Sequence, residues 1–349
     1  MADPVSPVTI LDVARFAKVS PSTVSHALNG KRPVGNATKE RILSAIESLG
    51  YIPSYSASHL RKGSSGIIGC YTLDITETFS NKIVKGIERG LAGSGLSMLF
   101  VSGIEFGNDF SRACRFLQSH DINGLLLCNH IPITSGSYSA TKDLRIPVIS
   151  INMELEDLPS VLPDNFSGGI IAAEHLYASG MRRPAMICGP ENGISVNQRL
   201  QGFRERIMDL GLEFEPDHYM FGEYTYEQGY EAAFRLMKTD PRIDGIFCAN
   251  DYIAAGAINR LTEMGRKIPG DIRIIGFDDR DFARFWHIPI STFEQPLEEM
   301  GFIGMSALRC AIFSALKPQE PQILQSKLIA RTSTIGADSY KRLEAKISG

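Results

Sequence analysis

Residues 9–30 read T-I-L-D-V-A-R-F-A-K-V-S-P-S-T-V-S-H-A-L-N-G, and this stretch decides how the chain begins. Ile10, Val13, Ala14 and Ala17 recur at the i, i+3, i+4, i+7 spacing of one helix face. Thr9 can cap that helix, with Asp12 as the reciprocal partner of a capping box. After a break at Lys18-Val19, Ser20 can cap a second helix whose first position is Pro21, where no backbone N–H is needed. Val24, Ala27 and Leu28 form its apolar stripe. So short a break forces a steep helix crossing and leaves the outer face of the second helix free to enter a groove. Ser22, Thr23, Ser25, His26 and Asn29 give that face small polar groups, as phosphates and base edges require. On the hairpin alone, a DNA-reading face and a plain solvated face both remain open.

Working outward, a third helix is expected over 36–49, with Ile42, Leu43, Ile46 and Leu49 inward. Gly50 sits where a helix end wants a positive φ, and Pro53 blocks continuation. Gly35 is no side-chain cap, which leaves Asn36 as the candidate. Lys18 falls in the turn between the first two helices. Residues 54–62 are too short and polar for a stable isolated helix and read as a linker.

Charge is divided unevenly. The formal net charge is −3, yet the residues up to Gly63 hold eight basic side chains against four acidic ones, and the remainder holds 28 against 35. A basic head on an acidic body is an electrostatic footprint at one end. With 349 residues, 43% apolar and 21% charged, the chain is an ordinary globular composition long enough for a large core. Six cysteines show no C-x-x-C or zinc spacing, most lie in apolar runs where a free thiol is usually buried, and they read as reduced thiols, so no metal and no cofactor is expected. No secretory signal and no membrane span is evident, which predicts a cytoplasmic protein.

From Ile67 onward short apolar runs (67–73, 97–102, 124–128, 148–151, 185–189, 245–249, 273–277) alternate with helical patterns (80–93, 109–120, 167–179, 197–210, 226–238, 252–264, 297–316). The expected fold class is therefore a small all-α helix-turn-helix head plus an α/β body of doubly wound parallel sheets, with ligands at the carboxyl ends of the strands. Polar residues gather at those ends. Asp74 and Thr76 follow the first strand, with Phe79 nearby, and Asn129 and Asn152 follow the third and fourth. Asn250-Asp251 and Asp278-Asp279 end two later ones, Gln295 follows a later run, Arg199 opens a helix, and Tyr224 lies between a strand and a helix. Amides and carboxylates bind hydroxyls, Arg adds paired donors, and aromatic faces cover a ring, a set suited to a small polyhydroxylated ligand. Helix capping is the plainer reading, favoured for Asp251 and Asp279. Trp286 is expected to line either the cleft or a lobe interface. There is no G-x-S-x-G, H-E-x-x-H, Walker lysine loop or complete G-x-G-x-x-G, so an enzyme is not expected.

The elements V-T-I-x-D-V-A, V-S-x-S-T-V-S-x-x-L-N-G, T-x-E-R-I-L-x-A-I-E-x-L-G-Y-x-P and A-x-x-L-R-x-G stand in the order and spacing of the lac repressor family, which the chain resembles. D-N-x-x-G-G near 164, R-L-x-G-F at 199, N-D at 250, I-G-F-D-D at 275 and Q-P-L-E-E-M-G at 295 extend the resemblance over almost the whole chain. It implies a head over 1–53, a hinge helix and linker over 54–65, a two-lobed periplasmic-binding-protein-like body over 66–340 and a tail over 341–349. The body's lobe crossings are implied near 164, 293 and 324. The tail shows barely one heptad, so a homodimer rather than a tetramer is expected. The resemblance implies that Pro21, Ser22 and His26 lie nearest the bases of a double-stranded, pseudopalindromic operator. Thr9, Ser20, Thr23, Ser25, Asn29 and Thr38 would hold phosphates. Leu60 would be the minor-groove wedge, with Ala57 allowing two hinge helices a close approach. Arg199, Asp278, Asn250, Phe79 and Tyr224 match the family's effector-contact positions. His26 departs from an Arg carried by many members, and Lys18 from a frequent turn Gly, which implies a left-handed Lys at a cost on the order of 1 kcal/mol. The implied partners are operator DNA, a small-molecule effector and a second copy of the chain, with a protein corepressor as an alternative gate. A solute-binding protein with an accessory head is the competing function class, and the missing signal peptide speaks against it.

Overall fold

The computed structural model describes residues 8–29, 32–51, 65–76, 78–129, 141, 143–155, 157–314 and 320–336. Ala57, Leu60, the linker and the tail lie outside the described residues, as does the side chain of Asn29.

The head contains α1 (Ile10–Phe16), α2 (Pro21–Asn29) and α3 (Asn36–Leu49). Asp12 accepts the Thr9 N–H at 2.9 Å and its hydroxyl at 2.6 Å, starting α1. Ser20 Oγ accepts the Thr23 N–H at 3.1 Å, starting α2. Lys18 carries the turn with φ 53°, and Gly50 ends α3 with φ 61°. Val13, Ala14, Ala17, Val24, Ile42 and Ala45 close the core between the helices. Burial of each larger aliphatic side chain stabilises by roughly 1.5–3 kcal/mol. Two expectations are corrected. Leu43 is 50% exposed, because it follows Ile42 by one residue and so points about 100° round the helix. The cap of α3 is Gly35 without any side-chain bond, and Asn36 is already helical.

The body is built on two parallel sheets. The first has six strands, the second four, and one further pair of strands runs antiparallel. In the first lobe β1 (Ile67–Thr72), β2 (Ser97–Ser102), β3 (Leu125–Cys128), β4 (Val148–Ile151) and β5 (Ser160–Pro163) are covered by α4 (Thr78–Leu91) and α5 (Phe110–Ser119). At Asp164 the chain leaves for the second lobe. There α6 (Asn165–Ala178), β6 (Pro184–Ile187), α7 (Ile194–Asp209), β7 (Tyr219–Met220), α8 (Tyr226–Thr239), β8 (Gly245–Cys248), α9 (Asp251–Glu263), β9 (Arg273–Ile275) and α10 (Asp281–Phe285) follow. After β10 (Thr292–Glu294) it returns with α11 (Leu297–Ser314) and β11 (Gln322–Leu324). It crosses a third time into β12 (Lys327–Ile329) and α12 (Thr332–Ile335). β5, β7 and β10 to β12 were not expected. The sheets run in the order β11-β5-β4-β3-β1-β2 and β7-β6-β8-β9, and β10 pairs antiparallel with β12.

Three helix pairs are joined by reciprocal glycines. A Cβ on Gly86 of α4 would fall 1.9 Å from Glu298 O, and one on Gly301 of α11 would fall 2.1 Å from Ile83 O. Gly169 of α6 and Gly202 of α7 meet Arg199 O and Phe166 O at 2.2 and 2.0 Å, and Gly229 of α8 and Gly256 of α9 meet Ile253 O and Tyr226 O, each at 2.0 Å. The absence of side chains at these crossings lets the backbones touch, and the α6–α7 pair thereby fixes where Arg199 emerges.

Candidate ligand cleft and nucleic-acid interface

In the second lobe, polar groups converge beyond the ends of β8 and β9. Arg199 sits in the second turn of α7 and is 5% exposed. Its Nε donates to Asn165 Oδ1 at 2.9 Å, its Nη1 donates to Ala249 O at 2.6 Å, and the guanidinium lies 3.6 Å from the Phe277 ring centroid. Burial lowers its pKa, with Tyr224, Asp278 and Asp251 opposing. A guanidinium starts so high that it stays charged. Tyr224 packs its ring where a side chain on Gly189 would stand, and burial raises its phenol. Asn250 caps α9, its Oδ1 accepting the Ile253 N–H at 2.9 Å, while its Nδ2 donates to Tyr224 O at 3.4 Å.

Asp278 follows β9 with φ 106°, a conformation that few residues other than glycine adopt without strain. It accepts from Gln295 Nε2 at 2.8 Å and lies 3.7 Å from Arg280 Nε. Burial raises its pKa against the pull of Arg199 and Arg280. Asp251 is fully buried and pushed well above the ordinary carboxylate range by desolvation, then by Asp278. The capping readings for two acids are corrected here. Asn250 holds the cap, whereas Asp251 accepts from Thr292 Oγ1 at 2.6 Å and from the Arg280 N–H at 2.8 Å. Asp279 accepts from Arg331 Nη2 at 2.6 Å and tethers the third crossing.

The first lobe contributes Thr76, Phe79, Asn129 and Asn152. Thr76 donates through both its N–H and its hydroxyl to Asp74 Oδ1, each at 2.8 Å. Asn129 and Asn152 end β3 and β4 with φ 65° and 60°, tolerated because a short amide side chain suits that region. Asn129 Nδ2 donates to Ser80 Oγ at 2.8 Å, and Asn152 Nδ2 approaches Asn129 Oδ1 at 3.5 Å. The lobes meet where the Arg280 guanidinium lies 5.7 Å from the Phe79 ring, and where Gln198 Nε2 donates to Glu154 Oε2 at 3.3 Å. A cavity of about 10 Å³ remains between Phe79, Lys82 and residues Asp278 to Asp281. Of the residues expected at the site, Phe79 of the first lobe and Asp278 of the second line this cavity; Gln295 bonds to Asp278, Arg199, Tyr224 and Asn250 lie in the second lobe, and Thr76, Asn129 and Asn152 lie in the first. Sequence reasoning missed Asn165, Gln198, Glu154 and Arg280, whose roles come from neighbours remote in sequence. Trp286 lines neither expected place: it packs on the second lobe's own core, 5.7 Å from the Phe282 ring and 6.4 Å from Tyr226.

In the head, Thr9, Ser20, Pro21 and Ser22 are exposed, and Thr23, His26 and Thr38 are half-buried. Ser20 Oγ lies 2.7 Å from Ser22 Oγ and 2.8 Å from Thr23 Oγ1, grouping hydroxyls at the start of α2. Ser25 is 6% exposed, so its expected place on the outer face is corrected. It follows Val24 on the inward-turning side. No helix among the described residues is long and apolar enough to cross a membrane, and among them no cluster of three or more His, Cys, Asp or Glu is placed to hold a metal ion.

Residues 9–54 match the pattern described as bacterial regulatory proteins, lacI family, and residues 173–334 match a periplasmic binding protein-like domain. The chain is 30% identical over 329 residues to the HTH-type transcriptional repressor CytR of Escherichia coli (strain K12), covering 93% of this chain and 96% of that one. It is 28% identical over 342 residues to the probable HTH-type transcriptional repressor ExuR of Bacillus subtilis (strain 168), covering 96% and 99%. Among solved structures, the lac repressor dimer bound to operator and the anti-inducer ONPF superposes with a TM-score of 0.81 at 25% identity, covering 95% of this chain and 100% of that one.

Proposed function

We propose, since the chain belongs to the lacI family of bacterial regulatory proteins, that it is a homodimeric transcriptional repressor gated by a small polar effector. It acts in the cytoplasm on a pseudopalindromic operator. Pro21, Ser22 and His26 face the bases, while Thr9, Ser20, Thr23, Asn29 and Thr38 address phosphates. The hinge segment at Ala57 and Leu60 enters the minor groove, where the leucine wedges a base step. A sugar or sugar derivative binds between the lobes to Arg199, Asp278, Asn250, Gln295 and Tyr224 on one side. Thr76, Phe79, Asn129 and Asn152 receive it on the other.

One observation supports this reading: Phe79 of the first lobe and Asp278 of the second line one cavity, and the polar groups at the strand ends of each lobe are already oriented by their own hydrogen bonds. Groups held in this way bind without a large ordering penalty. The effector changes the angle between the lobes, and through the three crossings it shifts the balance between DNA-competent and incompetent forms. The coupling is reciprocal, so operator binding changes effector affinity by the same factor.

Selection of bound sequences from a random duplex library, using the full-length protein, tests the reader. An inverted repeat with a fixed centre is expected, and its outer bases report what His26 reads. Histidine makes one bond where arginine makes two, a difference worth about 1–3 kcal/mol of discrimination. The Leu60→Ala variant should lose operator bending and keep nonspecific binding. Enrichment of nothing, or of an asymmetric single site, would count against a dimeric repressor.

A further inference from the structure

We infer that Gln198 and Glu154 form a latch between the lobes, and that Asn165 and Gln198 act as positioning residues that tie this latch to the guanidinium of Arg199. The inference rests on the proposed function only in taking Arg199 as an effector contact. Three hydrogen bonds run end to end. Arg199 Nε donates to Asn165 Oδ1 at 2.9 Å, Asn165 Nδ2 donates to Gln198 Oε1 at 3.3 Å, and Gln198 Nε2 donates to Glu154 Oε2 at 3.3 Å. Asn165 opens α6 and Gln198 and Arg199 lie on α7, all in the second lobe, whereas Glu154 stands three residues beyond β4 in the first.

The two ends fix the direction of the run. A guanidinium only donates, a carboxylate only accepts, and an amide does both. With a cation at one end and an anion at the other, each amide has one orientation, its oxygen toward Arg199 and its nitrogen toward Glu154. Hydrogen bonds aligned in this way polarise one another, so a loss at one end weakens the bond at the other.

Burial falls along the run. Arg199 and Asn165 are each 5% exposed, Gln198 is half-buried and Glu154 is exposed. The bond between the lobes is therefore the one that water competes for, while the buried end is held further by Arg199 Nη1 donating to Ala249 O at 2.6 Å. A ligand acceptor that draws the guanidinium away from Asn165 breaks the run at its buried end and loosens the latch. Such a ligand interacts differently with the two lobe arrangements, as a switch requires.

The test uses the full-length protein without DNA or ligand. Trp286, the only tryptophan, packs on the second lobe's core, and Cys310 on α11 of the first lobe is exposed while the other five cysteines are buried. An energy acceptor attached to Cys310 then reports the lobe angle through the fluorescence decay of Trp286, which divides into closed and open populations. Circular dichroism first establishes that each variant is folded. Glu154→Ala and Gln198→Leu are each expected to raise the open-to-closed ratio about three- to tenfold. Arg199→Lys keeps the charge but removes the Nε donor. It should raise the ratio in the parent and add little to Glu154→Ala, because both act on one run of bonds. Asn165→Ala takes its place in the same cycle if Arg199→Lys does not fold. An unchanged ratio in Glu154→Ala or Gln198→Leu overturns the latch. Full additivity between the Arg199 and Glu154 substitutions, or between those at Asn165 and Glu154, overturns the tie to the ligand contact. Operator enrichment by the parent is scored separately, so failure of the latch and failure of the repressor reading are told apart.

Discussion

Asp251 shows how a single residue's chemistry differs from its sequence reading. An acid at the start of a helix invites a capping role, yet Asn250 takes that bond and Asp251 turns inward to Thr292 and the Arg280 backbone. Position along the chain announces a cap, whereas the contact with Thr292 spans 41 residues and leaves no local signal. Burial raises the carboxyl far above its ordinary value of 3.8, and Asp278 adds in the same direction. A raised acid binds its proton more tightly when folded, so its burial opposes folding while ionised. Stability then rises as pH falls through the folded pKa toward the unfolded one. Asp251→Asn keeps the shape and removes this titration. Urea midpoints taken from about pH 7 to about pH 5 should show the parent gaining on the variant as the solution becomes more acidic. Parallel curves would mean that Asp251 is ionised in the folded protein across this range, as it is in the unfolded chain.

At the scale of elements, the main helices and strands were legible because apolar residues recur with the right period, and their observed ends fall within a few residues of expectation. The pairing between helices was not legible. Nothing in R-L-Q-G-F says that Gly202 will lie against Phe166 O, or that Gly169 will lie against Arg199 O. A glycine in a helix interior is by itself only a loss of about 1 kcal/mol relative to alanine. Its partner must be known before the close approach is seen. At this crossing that preference reverses: Gly202→Ala adds a helix-favouring methyl 2.0 Å from a backbone oxygen, and α7 must move away from α6. Overpacking of this kind costs about 1–3 kcal/mol, a fall in melting temperature of roughly 2–10 °C. Differential scanning calorimetry of the full-length variant reads the loss directly. A variant that melts with the parent would show that the helices sit further apart than this contact requires.

The whole molecule joins a small helical head to two lobes that share three crossings, and these crossings are where sequence alone failed most clearly. Alternating strands and helices announced parallel sheets, but a two-lobe arrangement that the chain enters three times leaves no periodic trace. The crossings near 164, 293 and 324 came from family resemblance, not from pattern. Asp164 ties two of them together. Its Oδ1 accepts the Ser167 N–H at 2.9 Å to begin α6, and its Oδ2 accepts from Ser167 Oγ at 2.7 Å and Gln325 Nε2 at 2.5 Å. Its own N–H donates to Leu324 O at 2.7 Å, a backbone bond that substitution leaves in place. Asp164→Ala therefore removes a helix cap and the side-chain bond to the third crossing, a loss of about 1–2 kcal/mol. The head's core of Val13, Val24 and Ile42 shares no residue with the body's clusters, so it unfolds on its own free energy. Calorimetry of the full chain should resolve two transitions, and Asp164→Ala should lower only the one belonging to the body. The head's transition can be assigned independently by His26→Pro, which removes a backbone donor inside α2 and breaks that helix. A single transition shifted by both substitutions would mean that head and body unfold as one cooperative unit, and the division argued from their separate cores would fail.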